Sequence, residues 1–191
     1  ENDDERIGRH LEQELKAAMQ SIVASATAVD SFYAALKEDV SIDRETLDAW
    51  RHKGLARYKQ VAEVVRRAFS IKPRNAVGVR NALKQLYAHR DCCVHPDHSF
   101  SNVVLHPEAR RNVERRFATY RYGNARLVAA VGMSLIAQSC AASSPIEAVT
   151  SHCKSLNAMI APILEQWEAR HGEVYVRQRT PGQWGIGHPS G

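Results

Sequence analysis

Apolar residues recur every three or four positions through Ile7, Leu11, Leu15, Met19, Ile22, Ala26, Val29, Tyr33 and Leu36, and this rhythm constrains the chain more than any other feature. A strand cannot hold such a series on one side, because its side chains alternate faces; a helix does so naturally. The spacing predicts a long amphipathic helix over roughly residues 6–37, with Asp3 or Asp4 able to cap its start.

The same rhythm continues. After a turn near residues 38–42, Asp43 is a cap for a second helix with the stripe Leu47, Trp50, Leu55, Tyr58, Val61, Val65 and Phe69, ended by Pro73. A third helix is expected over about residues 75–94, stopped by Pro96, with a polar loop at 96–102. His106-Pro107-Glu108 has the form of a helix start with proline in the first turn. The stripe behind it is Val113, Phe117, Tyr120, Leu127, Val131 and Leu135, with a break near Gly123. Ser144, Pro145 and Glu147 form a capping box for a last helix. Its face is Ile146, Val149, Cys153, Leu156, Ile160, Ile163 and Trp167, and Pro162 should kink it. Long helices joined by short turns imply an all-α domain over residues 1–172, an antiparallel bundle of about five helices. Residues 173–177 could extend briefly, and the Gly- and Pro-rich remainder of 173–191 reads as a loose tail.

Composition narrows the class. A chain of 191 residues with 44% hydrophobic and 25% charged residues suits one globular core and excludes general disorder. The longest nearly apolar run, 127–137, falls well short of the roughly 20 residues that cross a bilayer. The acidic residues 1–5 are unlike the basic start of a secretory signal. Four cysteines, two of them the neighbours Cys92 and Cys93, do not form a disulfide framework and point to a reducing cytoplasm. A net charge of +5 favours a polyanionic partner without choosing between RNA, DNA and an acidic protein.

The third helix carries the chemistry. Its apolar positions are Val79, Leu83, Leu86, Cys93 and Val94, and helical spacing puts Arg90 in the middle of that stripe. A guanidinium there cannot lose its charge and must find partners. The ordinary alternative is an arginine paired with a buried acid or reaching out along the helix end. His95 stands five residues on, where Pro96 stops the helix. Either the last turn unwinds and lets the imidazole swing back to Arg90, or His95 meets the Arg90 of a second subunit. Together the two types suit RNA cleavage. A neutral imidazole takes the proton of a 2′-hydroxyl, and a fixed guanidinium grips the phosphate and the charge growing on it. No metal or cofactor is required, because the nucleophile belongs to the substrate. Asp91 could orient Arg90 or His95, or be a solvated acid.

Arg90-Asp91-Cys92-Cys93-Val94-His95 resembles the R-x(4-6)-H signature of the HEPN superfamily, in which a polar residue follows the arginine. The resemblance covers Arg90, Asp91 and His95 and implies a four- or five-helix bundle with the motif at a helix end. It further implies a homodimer that joins two motifs in one cleft and cuts RNA to leave a 2′,3′-cyclic phosphate. Many members are toxins, with antitoxin partners, or antiviral defence proteins, and others are inactive modules that bind a protein or nucleotide.

Two other clusters stand out. His89, Cys92, Cys93, His95, Asp97 and His98 crowd together, but no second Cys or His pair follows at zinc-finger spacing, so no metal is expected. Arg110, Arg111, Arg115, Arg116, Arg121 and Arg126 are interleaved with Phe117, Tyr120 and Tyr122, a pattern that suits single-stranded RNA. Phe117 and Tyr120 lie on the core stripe, which leaves Tyr122 as the stacking candidate; the competing reading is an ordinary solvated basic face.

Overall fold

The computed structural model describes residues 2–95, 102–172 and 174. Helix α1 spans Asp3–Asp39 and buries Ala18, Ile22, Ala26, Val29, Phe32, Tyr33 and Leu36, the same face that the periodicity marks. Its cap is Asn2 rather than Asp3 or Asp4: the Asn2 side chain accepts the Asp4 N–H at 3.3 Å. The two aspartates lie inside the first turn, where their charge opposes the helix dipole.

The expected second helix is two. Asp43 caps α2, Arg44–His52, by accepting the Thr46 N–H at 2.6 Å, and α3 then runs over Arg57–Ala68. Between them Gly54 adopts φ 56°, and a paired closure forms: Gly54 N–H to Arg51 C=O at 3.2 Å, and Leu55 N–H to Trp50 C=O at 2.9 Å. Helix α3 ends the same way before Pro73 is reached. Ser70 sits at φ 50° and Ile71 N–H returns to Arg66 C=O at 2.9 Å. Pro73 instead opens a 3-10 turn, Pro73–Ala76, leading into α4, Val77–Val94. Only glycine takes that left-handed conformation without a Cβ clash. Ser70→Gly is therefore expected to raise unfolding stability by up to about 1 kcal/mol and Gly54→Ala to lower it by about as much. Urea midpoints of the two variants beside wild type check both signs.

The fourth segment departs most from expectation. His106-Pro107-Glu108 is no helix start but the turn of a hairpin, β1 Val103–Leu105 paired antiparallel with β2 Asn112–Glu114, Val104 opposite Val113. Proline's fixed φ suits the first turn of a helix and a β-turn equally, so the motif is locally ambiguous. The tertiary structure decides it. His106 is buried between Glu14 and Glu108, and its Nδ1 accepts the Ala109 N–H at 3.1 Å. The short α5, Arg115–Thr119, follows, and the chain bends at Tyr120–Arg121, ahead of Gly123, into α6, Tyr122–Ala141.

Helix α7, Glu147–His171, contains Pro162 and begins three residues after Ser144. The Ser144 hydroxyl accepts the Ile146 N–H at 3.1 Å and donates to Ala68 C=O at 2.6 Å, tying the α6–α7 turn to α3 in place of a capping box. Only Val149 and Cys153 of α7 are buried. Ile163 and Leu127, expected in the core, are exposed, as is Val94 at the end of α4.

The described residues thus form seven α-helices and one small hairpin. Helix α1 is central, packing on α3, α4 and α6. Not every neighbour is antiparallel. Glu14 meets Tyr122 and Ser25 meets Gly132, so α1 and α6 run parallel, whereas Cys140 meets Cys153 and Tyr122 meets His171, so α6 and α7 run antiparallel. A Cβ on Gly132 would stand 3.4 Å from Ser25 C=O, which lets the two helix backbones approach closely. Among the described residues no helix is long and apolar enough to cross a membrane. The expected loop at 96–101 lies outside the described residues, as does the tail from 173 apart from Val174.

Candidate functional site

Helix α4 buries Val79, Leu83, Leu86, Tyr87 and Cys93. Arg90 lies between Leu86 and Cys93 on that face, half-buried, with its side chain 28% exposed. Two groups hold it: Asp91 Oδ1 stands 3.1 Å from Arg90 Nη1, and the guanidinium lies over the Tyr87 ring at 5.5 Å from its centroid. The exposed Asp91 carboxylate thus stands at ion-pair distance from Arg90. The Asp91 backbone carbonyl closes the helix by accepting the His95 N–H at 2.8 Å.

His95 is the last capped residue of α4, with φ −124° and ψ 74°, and its ring is exposed. The helix stays intact through Val94, so no unwound turn carries the imidazole back toward Arg90. Within one chain the recorded partners of Arg90 are Asp91 and Tyr87. The two motif residues share the last turn and a half of one helix end without touching each other.

A polar cluster beneath Arg90 escaped the sequence reading. Asp30 of α1 accepts both the Tyr87 hydroxyl and Arg57 Nε at 2.7 Å, and the Arg57 guanidinium lies over the Tyr33 ring at 4.0 Å. Burial, reinforced by the Asp30 carboxylate, pushes the Tyr87 phenol upward, so it stays protonated and donating at any physiological pH. Tyr87 is thus pinned at one edge by α1 and presents its ring to Arg90. The signal was present: Asp30 interrupts the α1 stripe between Val29 and Tyr33 just as Arg90 interrupts that of α4.

The arginine series lies not on one helix face but along the hairpin, α5 and the start of α6. Arg110 and Arg115 are exposed. Three others are partly neutralised, Arg111 by Asp4, Arg121 by Glu108, and Arg116 by Glu114 at 3.1 Å, while Arg126 donates to His171 C=O at 3.0 Å. Tyr122 is 53% exposed. These residues share one end of the bundle with the motif, because the Cys93 thiol in the last turn of α4 meets the Tyr120 hydroxyl beside α6. Burial chiefly pushes that thiol up to about 11, which makes Cys93 a packed neutral group and no nucleophile.

Among the described residues no group of three His, Cys, Asp or Glu side chains could hold a metal; Asp97 and His98 lie outside them. A cavity of about 20 Å³ between α4 and α6, lined by Val79, Leu83, Val131 and Leu135, has room for little more than one water, so a nucleotide cannot enter there. No family model, no curated protein and no solved structure matches this chain. The likeness to HEPN proteins rests on Arg90, Asp91 and His95.

Burial lowers the titration of the half-buried His89 below the ordinary 6.5. The unfolded chain then binds more protons than the folded one just below 6.5. Stability from this group is complete above that pH, declines as pH falls through the depressed folded value, and flattens beneath it. His89→Gln is expected to remove this slope, read as urea midpoint against pH from 7 down to about 5. The carboxylate of Glu63, held low chiefly by its bond to Arg66, adds its own loss only below 4.5.

Proposed function

We propose that the chain is a metal-independent endoribonuclease of HEPN type acting as a homodimer, with Arg90 as phosphate and transition-state binder and His95 as general acid and base. The observation that carries this reading is the pairing of a half-buried, pre-oriented guanidinium with an exposed imidazole at one helix end. Arg90 is braced by the Tyr87 ring and Asp91 before any ligand arrives, and a donor that needs no reorganisation is what stabilises charge growing on a phosphorane. Since no hydrogen bond joins Arg90 to His95 within one chain, the cleft is taken to form between two copies.

In that cleft one neutral His95 takes the 2′-hydroxyl proton while the oxygen attacks phosphorus. The second His95, protonated, gives a proton to the departing 5′-oxygen. The products are a 2′,3′-cyclic phosphate and a 5′-hydroxyl end. The arginines of the hairpin and α5, with Tyr122, would track the strand. A cytoplasmic toxin or antiviral defence role, with an antitoxin as further partner, is what the family likeness suggests.

Incubation of purified protein with single-stranded RNA in EDTA tests the reading. The expected result is cyclic-phosphate ends together with a dimer by light scattering; intact RNA would sink it. A second reading, a catalytically silent helical module that binds a protein or nucleotide, is favoured by the exposed apolar residues Met159 and Ile163 on α7.

A further inference from the structure

Helix α7 carries Trp167 and His171 one turn apart, and α6 begins with Tyr122; the antiparallel pairing of the two helices brings these three rings together. The His171 ring centroid lies 4.6 Å from that of Trp167 and 5.9 Å from that of Tyr122. The Tyr122 hydroxyl and His171 Nδ1 are 2.8 Å apart, and Arg126 fixes the His171 backbone through its carbonyl. Tyr122 is also anchored at its backbone, whose N–H donates to Glu14 Oε1 at 2.6 Å. A large aromatic side chain is thus held firmly at the surface with more than half its area open to solvent. Such a ring loses little freedom when a planar group settles on it.

The surroundings indicate which planar group fits. Arg121 precedes Tyr122, Arg126 lies one turn after it, and Arg170 neighbours His171. Arg121 is paired with Glu108 and Arg126 is bound to the His171 carbonyl. The basic residues of this stretch lie close along the chain to an open aromatic side chain, a combination that suits the two parts of a nucleotide, phosphate and base. Tyr122 follows two residues after Tyr120, whose hydroxyl meets Cys93 in the last turn of α4. The three rings therefore stand at the same end of the bundle as Arg90 and His95.

We infer that Tyr122, braced by the His171 ring tilted 48° to its own and the Trp167 ring tilted 56° to that of His171, forms a stacking platform for an unpaired nucleobase of single-stranded RNA, a binding subsite beside the Arg90–His95 cleft. Its place next to a cleavage site rests on the proposed ribonuclease reading; its capacity to bind a base does not. Stacking is indifferent to base identity, so the platform would admit any sequence and add affinity without selecting among bases.

The test uses the full chain carrying His95→Ala, so that bound RNA stays intact. Two fluorescently labelled probes are compared by anisotropy: a twelve-nucleotide uridine RNA and an abasic phosphodiester of equal length and charge. The expected result is that Tyr122→Ala weakens RNA binding by about tenfold, that Trp167→Ala weakens it to a lesser degree, and that neither alters binding of the abasic probe or the salt dependence. Tyr122→Phe keeps the ring and should bind RNA within about twofold of the parent. Circular dichroism and thermal melting confirm that each variant folds. Three results would overturn the proposal: parental RNA affinity in Tyr122→Ala, an equal loss for both probes, or a parent that binds RNA no better than the abasic probe. A Tyr122→Ala variant that changes only the oligomeric state would assign the rings to self-association instead, and would equally overturn it. If wild type fails to cut RNA while base-dependent binding persists, the ribonuclease reading falls and the platform stands.

Discussion

His95→Ala is expected to cut the rate of single-stranded RNA cleavage by about a thousandfold, since a positioned acid–base group contributes on the order of 10² to 10⁴ in rate. Arg90→Ala should cost about as much, because it removes the fixed donor on the phosphate, and Arg90→Lys should rescue only part, since an ammonium keeps the charge and loses the fork. His95 is exposed, so its alanine variant should unfold within about 0.5 kcal/mol of wild type. Arg90→Ala gives up the contact with the Tyr87 ring and should lose about 1 kcal/mol. Because the two side chains do not meet within one chain, mixing has diagnostic value. A heterodimer of Arg90→Ala with His95→Ala retains one intact Arg90–His95 pair only if the pair is formed between subunits. It lacks one of the two histidines, so the expected recovery on mixing is a small fraction of wild-type cleavage, above that of either variant alone. Unchanged cleavage by either single variant would remove the motif from catalysis.

Asp30→Ala should lower stability by about 2 to 3 kcal/mol. The carboxylate accepts two bonds at once, and its removal strands the hydroxyl of a buried Tyr87, a penalty of about 1 to 3 kcal/mol. The Arg57 contribution is smaller, about 0.5 kcal/mol, because that side chain is 37% exposed and water screens its pair with Asp30. For a chain of this size the sum corresponds to a fall in Tm of roughly 5 to 10 °C. Asp30→Asn keeps one oxygen acceptor and should lose about half as much. A double-mutant cycle with Tyr87→Phe checks the partition: the two changes should be far from additive, since each removes the same hydrogen bond. Loss of stability without loss of cleavage would show that Tyr87 braces the fold and not Arg90. Additive effects would remove the Asp30–Tyr87 bond from the account.

Much of the helical framework was legible because it depends on local spacing. The buried faces of α1 and α4 and the cap at Asp43 follow from periodicity and from a side chain that satisfies an open backbone N–H. The hairpin was not legible. Its strands are three residues each, too short for alternation to register, and the proline of its turn suits the first turn of a helix equally well. The break at Gly54 was missed because a left-handed residue within an apolar stripe leaves the stripe's spacing intact, and the end at Ser70 because Pro73, three residues on, offered a stop signal of its own.

The site divides in the same manner. Arg90 was visible as a charge on an apolar stripe, since one helix suffices to define the stripe. Asp30, Arg57 and Tyr87 became a unit only when α1, α3 and α4 met, as did Tyr122, Trp167 and His171 when α6 and α7 paired. Local sequence determines which face of a helix is apolar and where its backbone can be capped, because those energies act within a turn or two. Which polar groups share a partner, and which apolar residues such as Ile163 stay in water, depends on contacts between residues far apart in the chain, and only the packed tertiary structure decides it.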